Sequence, residues 1–173
     1  MNTSIVLTII ADDQPGIIKT VSRVLKNHNG SWTQSSMSCL AGQFAGILLV
    51  SVPTENSSAC LAELHGLESM GMHVVAHVSS GVPAQVEETH RYFLDLVGND
   101  RAGIVHDITS VLVNHNINIH DLETVVESAS MGGGEIFRVK AALVIPVTVD
   151  IDVLEDELEA MANDLMVDIS LVK

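Results

Sequence analysis

The sequence is poor in aromatic side chains, in cysteine and in positive charge. Three Phe, one Trp and one Tyr in 173 residues are too few to furnish a stacking platform for single-stranded nucleic acid. Eight basic residues stand against 22 acidic ones, a formal charge of −14, and the long-range field of such a protein repels a phosphate backbone. Direct binding to DNA is therefore not expected. Cys39 and Cys60 have no CxxC spacing and lie in apolar stretches, where a free thiol usually acts as a small buried hydrophobe. Both are expected to be buried.

No apolar run approaches the ~20 residues that span a bilayer, and Met1-Asn2-Thr3-Ser4 leads into an apolar segment without the basic residues of a secretory leader. A cytoplasmic location with no membrane partner is expected. Catalytic signatures are missing too: there is no G-x-S-x-G, no P-loop and no Cys–His pair in motif context. Of the eight histidines, His73 and His77 share one face of a strand, while His106, His115 and His120 are scattered over helix and strand. None joins Cys or carboxylates at ligand spacing, so neither a metal nor another cofactor is expected. The acidic run over residues 150–159 reads as the solvated face of a helix.

What the chain does have is apolar material, 47% of its residues, enough for a packed core, and an internal repeat. Asp13-Gln14-Pro15-Gly16-Ile17-Ile18 is echoed by Asp100-Arg101-Ala102-Gly103-Ile104-Val105, an offset of 87 residues. At the same offset Val21, Val24 and Leu25 fall on Ile108, Val111 and Leu112, and Asn27-His28-Asn29 falls on Asn114-His115-Asn116.

Each copy reads alike. A run of strand length, residues 4–11 or 92–98, precedes the Asp-x-x-Gly turn. After it, apolar residues at 17, 18, 21, 24 and 25, and at 104, 105, 108, 111 and 112, form the stripe of a helix that covers a sheet with one face. Asn29-Gly30 and Asn116 suit a left-handed helix end. Two strands follow, joined by Ala41-Gly42 in one copy and by residues 130–134 in the other. Pro53 and Pro146 are 93 apart, which places a six-residue gain in the second hairpin. A second helix comes next, with Leu61, Leu64 and Leu67 or Leu154, Leu158, Met161 and Leu165 inward, and with Asp152 and Glu155 as a capping box. A last strand, residues 73–79 or 166–172, closes each unit. The expected fold is α+β: two ferredoxin-like βαββαβ domains in tandem, antiparallel sheets with helices on one face, at residues 1–79 and 90–173 with a linker at 80–89.

The turns admit two readings. A helix N-terminus attracts an anion through its free N–H groups and its dipole; Gly16 and Gly103 would let a ligand approach closely, and Asp13 or Asp100 could meet an ammonium group. Alternatively the Asp caps the helix, Pro15 fills its first turn and the Gly packs on the sheet. Asn118 enters the second strand of its copy and is expected at the same end of the domain as the Asp100 turn, where its amide could bond both groups of an amino acid, or only its own backbone. Ser31 holds the matching place in the first copy.

With the turn, the stripe, the Asn-His-Asn ending and the duplication together, the chain resembles the ACT-domain family of small-molecule regulatory modules. Asp13-Gln14-Pro15-Gly16-Ile17 and Asn116-Ile117-Asn118-Ile119 carry the likeness, which covers nearly the whole chain. The resemblance implies an amino-acid effector bound between two such domains, by Asp13, Pro15, Gly16, Ile17 and Ser31 of the first copy and by Asp100, Ala102, Gly103, Ile104 and Asn118 of the second. Ala102 stands where the family has Pro, and Ser31 where it has an amide. A free-standing acidic pair is similar to members that control transcription through an activator protein, which implies such a partner, a homodimer and no catalysis. Two other classes stay open: an acylphosphatase-like hydrolase, for which Arg101 is the only Arg near either turn, and a dimerisation module without a ligand.

Overall fold

The computed structural model describes residues 1–79, 88–128 and 134–173. Contacts divide the chain into two compact units, Met1–Pro83 and Ala84–Lys173. Residues 80–87 of the expected linker and 130–133 of the expected second hairpin loop lie outside the described residues, and Thr89 already belongs to a strand.

The first unit runs β1 (Asn2–Asp12), α1 (Ile17–Asn27), β2 (Ser31–Leu40), β3 (Gln43–Pro53), α2 (Ser57–Gly66) and β4 (Met72–Val78). The second runs β5 (Thr89–Asn99), α3 (Ile104–Asn114), β6 (Asn118–Ser128), β7 (Glu135–Pro146), α4 (Ile151–Leu165) and β8 (Val167–Val172). Each is a four-stranded antiparallel sheet, in the orders β2-β3-β1-β4 and β6-β7-β5-β8. The chain is thus the tandem of ferredoxin-like βαββαβ units that its repeat predicts.

Alternation along the strands sets the layers. Ile5, Leu7, Ile9 and Ala11 of β1 are buried, while Val6, Thr8 and Ile10 point to the opposite face. The buried set packs with Val21, Val24, Leu25 and Leu64 of the helices, and Leu94, Leu96, Ile108, Leu112, Leu154 and Leu158 do the same in the second unit. Full burial of such side chains contributes about 1.5–3 kcal/mol each.

The register explains what the repeat preserves. Asp12 pairs with Gln43 and Asn99 with Ile136, while both edge strands carry an irregularity one residue in, at Trp32/Gln34 and Ile119/Asp121. The extra residues of the second copy therefore fall at the hairpin tip. Ala41 and Gly42 both have positive φ, 49° and 79°, the mirror-image turn that suits the twist of a two-residue hairpin.

The Asn-His-Asn segment has two structural tasks. Asn29 and Asn116 are left-handed, φ 53° and 55°, and the following N–H groups close on the helix: Gly30 donates to Leu25 O at 2.7 Å and Ile117 to Leu112 O at 2.9 Å. These are Schellman ends. His28 Nε2 lies 2.7 Å from Glu63 Oε2 and His115 Nε2 3.0 Å from Glu157 Oε2, so each histidine ties the end of the first helix to the second.

Two expectations are corrected. The cap of α4 is Asp150, whose carboxylate accepts from the N–H groups of Asp152 and Val153, so Asp152 is already inside the first turn. Cys60 is buried as expected, but Cys39 is exposed: it lies near the tip of edge strand β2, where no helix covers it.

Candidate functional site

Strands β1 and β5 end in turns that reverse into α1 and α3. Gly16 and Gly103 occupy the N-cap positions with φ 107° and 100°, and no side chain caps either helix. Asp13 and Asp100 are thus free of the capping task, and Pro15 lies outside the helix. The backbone carbonyls of Gly16 and Gly103 accept from Thr20 and Asp107, both at 2.9 Å. A Cβ built on Gly16 would meet nothing within 4 Å, and on Gly103 only Asp107 Oδ2 at 3.9 Å. The glycines therefore serve a left-handed backbone and leave the space above the turn open. They do not pack against the sheet.

Asp13, Pro15, Gly16, Asp100, Ala102 and Gly103 are exposed. Ile17 and Ile104 are 5% and 1% exposed, so their side chains anchor the helix start in the core and only their backbone could face a ligand. The described residues include no group of three or more His, Cys, Asp or Glu that could hold a metal.

Each turn is fastened to the neighbouring hairpin, a connection absent from the sequence reading. Asp13 N donates to Gly42 O and Asp100 N to Glu135 O, both at 2.9 Å; in the first unit Gln43 Nε2 also donates to Asp12 Oδ1 at 2.7 Å. Cys39 joins this end: partial desolvation, and then the Asp13 carboxylate that bonds and repels it, push its thiol above the ordinary value. The signal for these contacts was the two-residue hairpin, which returns β2 to the level of the turn.

Ser31 and Asn118 are elsewhere. Ser31 pairs with Ser51, which faces Ser4 across β1, and Asn118 pairs with Val144, which faces Arg91 across β5. The turns follow Asp12 and Asn99, eight residues further along those strands, or about 26 Å at roughly 3.3 Å per residue. The expectation that Asn118 shares an end of its domain with the Asp100 turn is overturned, because α3 carries the chain back along the sheet before β6 begins. Each unit brings together its turn residues and holds its strand-start residue at the opposite end.

The units also share a depression on the open sheet face, away from the turns. In the first it measures about 250 Å³ and is lined by Val6, Gln34, Ser36, Ile47 and Leu49. In the second it measures about 180 Å³, and the equivalent positions are Phe93, Asp121, Glu123, Lys140 and Ala142. The first is lined mostly by apolar side chains and the second by carboxylates around Lys140; both are open depressions and not enclosed small-molecule pockets, so the turns remain the better candidates.

Residues 3–77 match the model of the ACT domain. A crystal structure of an unknown protein from Galdieria sulphuraria is similar over 99% of this chain and 98% of its own, with 29% identity and a TM-score of 0.88. A provisionally named glycine cleavage system transcriptional repressor is similar over 99% of this chain and 96% of its own, with 18% identity and a TM-score of 0.69. Among curated proteins none matches the sequence. The family match thus lies on the first unit, and the second unit repeats its strand order, register and turn.

Proposed function

We propose that this protein is a cytoplasmic regulator that senses a small amino acid, with glycine as first candidate, and passes its occupancy to a transcription activator instead of to DNA. The observation that carries this reading is the repeated helix start at a left-handed glycine, uncapped by any side chain and open above. Such an end offers backbone N–H groups and a helix dipole to a carboxylate, while Asp13 or Asp100 beside it suits an ammonium group. An amino acid presents both. The name carried by the 18%-identical similar structure supports glycine and transcription as the first things to test. The net charge of −14 supports a protein intermediary over an operator.

The register adds a condition. Since Ser31 and Asn118 lie at the end of each sheet away from its turn, no single site within one unit uses both elements.

Thermal denaturation against the common amino acids tests the proposal. A true effector at a hundred times its dissociation constant adds about 2.7 kcal/mol. Asn118→Ala, at an exposed position, should weaken binding roughly tenfold or more, as expected for losing a hydrogen bond to a charged group worth about 1.5–3 kcal/mol, and Asp100→Asn, which keeps an acceptor oxygen but removes the charge facing the ammonium group, should weaken it too. A chain that no amino acid stabilises would sink the sensing role. Full-strength binding in both variants would move the site elsewhere.

A further inference from the structure

Charge is segregated by helix. Lys19, Arg23 and Lys26 are all the Lys and Arg that residues 1–83 contain, and all three lie exposed on α1. Their spacing of four and then three residues aligns them on one face. None has a carboxylate partner among the described residues, whose ion pairs are His28–Glu63, His73–Glu68, His115–Glu157 and Arg138–Glu127. On α4, Asp152, Asp156 and Glu159 repeat the same spacing, are exposed and are likewise unpaired. Either stripe spans about 10 Å at 1.5 Å per residue, so three cations can meet three anions whether the two helices run parallel or antiparallel.

We infer that α1 of one copy docks against α4 of a second copy of this chain. The occupant is set by complementarity: at net charge −14 two copies repel at long range, and the α1 stripe is the one cationic surface that the described residues of the first unit offer to an acidic helix. Trp32, the sole Trp, adjoins it, since Ser22, Lys26 and Trp32 line one shallow depression. The indole thus reports on the contact. Exposed ion pairs are individually weak, so the association is concentration-dependent and rests on several pairs acting in one patch. It stands independently of any ligand.

Sedimentation equilibrium on the full chain, with Trp32 fluorescence followed on dilution, tests this. One variant carries Lys19→Glu, Arg23→Glu and Lys26→Glu; another carries Asp152→Lys, Asp156→Lys and Glu159→Lys. Each alone should lose self-association at least tenfold while keeping native circular dichroism, and an equimolar mixture of the two should associate again because the reversed stripes fit each other. Wild-type protein that stays monomeric at every concentration overturns the proposal, and so does association that neither reversal weakens. A mixture no better than its components, or rescue only when both reversals sit in one chain, overturns the choice of a second copy as occupant.

Discussion

The two units share their strand order, their register and both ends of their first helices, and differ in the length of the second helix and in much of what they show to solvent. Their strand pairings coincide, their first helices start at a left-handed glycine and end at a left-handed asparagine, and both carry the His–Glu tie. Yet residues 1–83 hold five acidic and three basic residues, while residues 84–173 hold 17 and five. The open sheet face shows the same split: Val6, Ile47 and Leu49 in one unit stand where Phe93, Lys140 and Ala142 stand in the other, and Gln34 and Ser36 stand where Asp121 and Glu123 stand. The shared features are those that close backbone hydrogen bonds or fill the core, where error is costly. Exposed positions tolerate exchange at small cost, so divergence collects there.

The largest test of that equivalence is in the core. Ile9 and Leu96 occupy matching positions and are 1% and 0% exposed. Ile9→Ala and Leu96→Ala should each cost about 2–5 kcal/mol, the range for deleting a buried aliphatic side chain, and denaturant titration should find them alike. A clear inequality would break the comparison and show that one core closes around the loss better than its repeat.

Next comes a place where the repeats already differ inside. Ala11 of β1 is matched by Gly98 of β5, and a Cβ on Gly98 would clash with the side chain of Val167. Gly98→Ala should therefore destabilise by about 1–3 kcal/mol, as overpacking does, and a second change, Val167→Ala, should return part of that loss. No rescue would mean that the strain lies in the backbone instead of the contact.

Smaller again is the cap of α4. Asp150 accepts from two first-turn N–H groups, whereas α2 has no side-chain cap. Asp150→Ala should cost about 0.5–2 kcal/mol. The matching change at Asn56 of α2 removes only a bond from its Nδ2 to His28 O at 3.1 Å, and thermal melts should rank it lower.

How far these features could be read from sequence follows from the range of the forces that set them. The helix stripes, the left-handed Asn29 and Asn116 and the Ala41-Gly42 turn are local, and residue type alone announces them. The position of Asn118 is not local: it depends on α3 carrying the chain about 16 Å back along the sheet, 11 residues at roughly 1.5 Å each. Turn and strand start adjoin the same helix in sequence but its opposite ends in space. Cys39 failed for a related reason. It pairs with Phe44, a core residue, so alternation gives the correct side of the strand, but only the assembled sheet reveals that nothing covers its edge. Asp150 and Asp152 are both acceptable caps by type, and the β-region backbone of Asp150, ψ 112°, decides between them.

The smallest expected effect concerns the paired histidines, and it discriminates most finely between the units. His28 and His115 have side chains 17% and 19% exposed, and their glutamates 42% and 48%, so the two ties sit in nearly equal surroundings. Half-exposed pairs of this kind contribute about 0.2–1 kcal/mol. His28 has more support, because Asn27 Nδ2 also reaches Glu63 Oε1 at 3.5 Å and Asn56 bonds the His28 carbonyl, whereas His115 bonds Glu157 alone among the described side chains. Double-mutant cycles with His28→Ala and Glu63→Gln, and with His115→Ala and Glu157→Gln, isolate each coupling from the loss of either side chain. The first coupling should equal or exceed the second. A larger coupling in the second unit would show that the neighbouring acidic residues of α4 strengthen its tie, so that surface divergence reaches the shared framework after all.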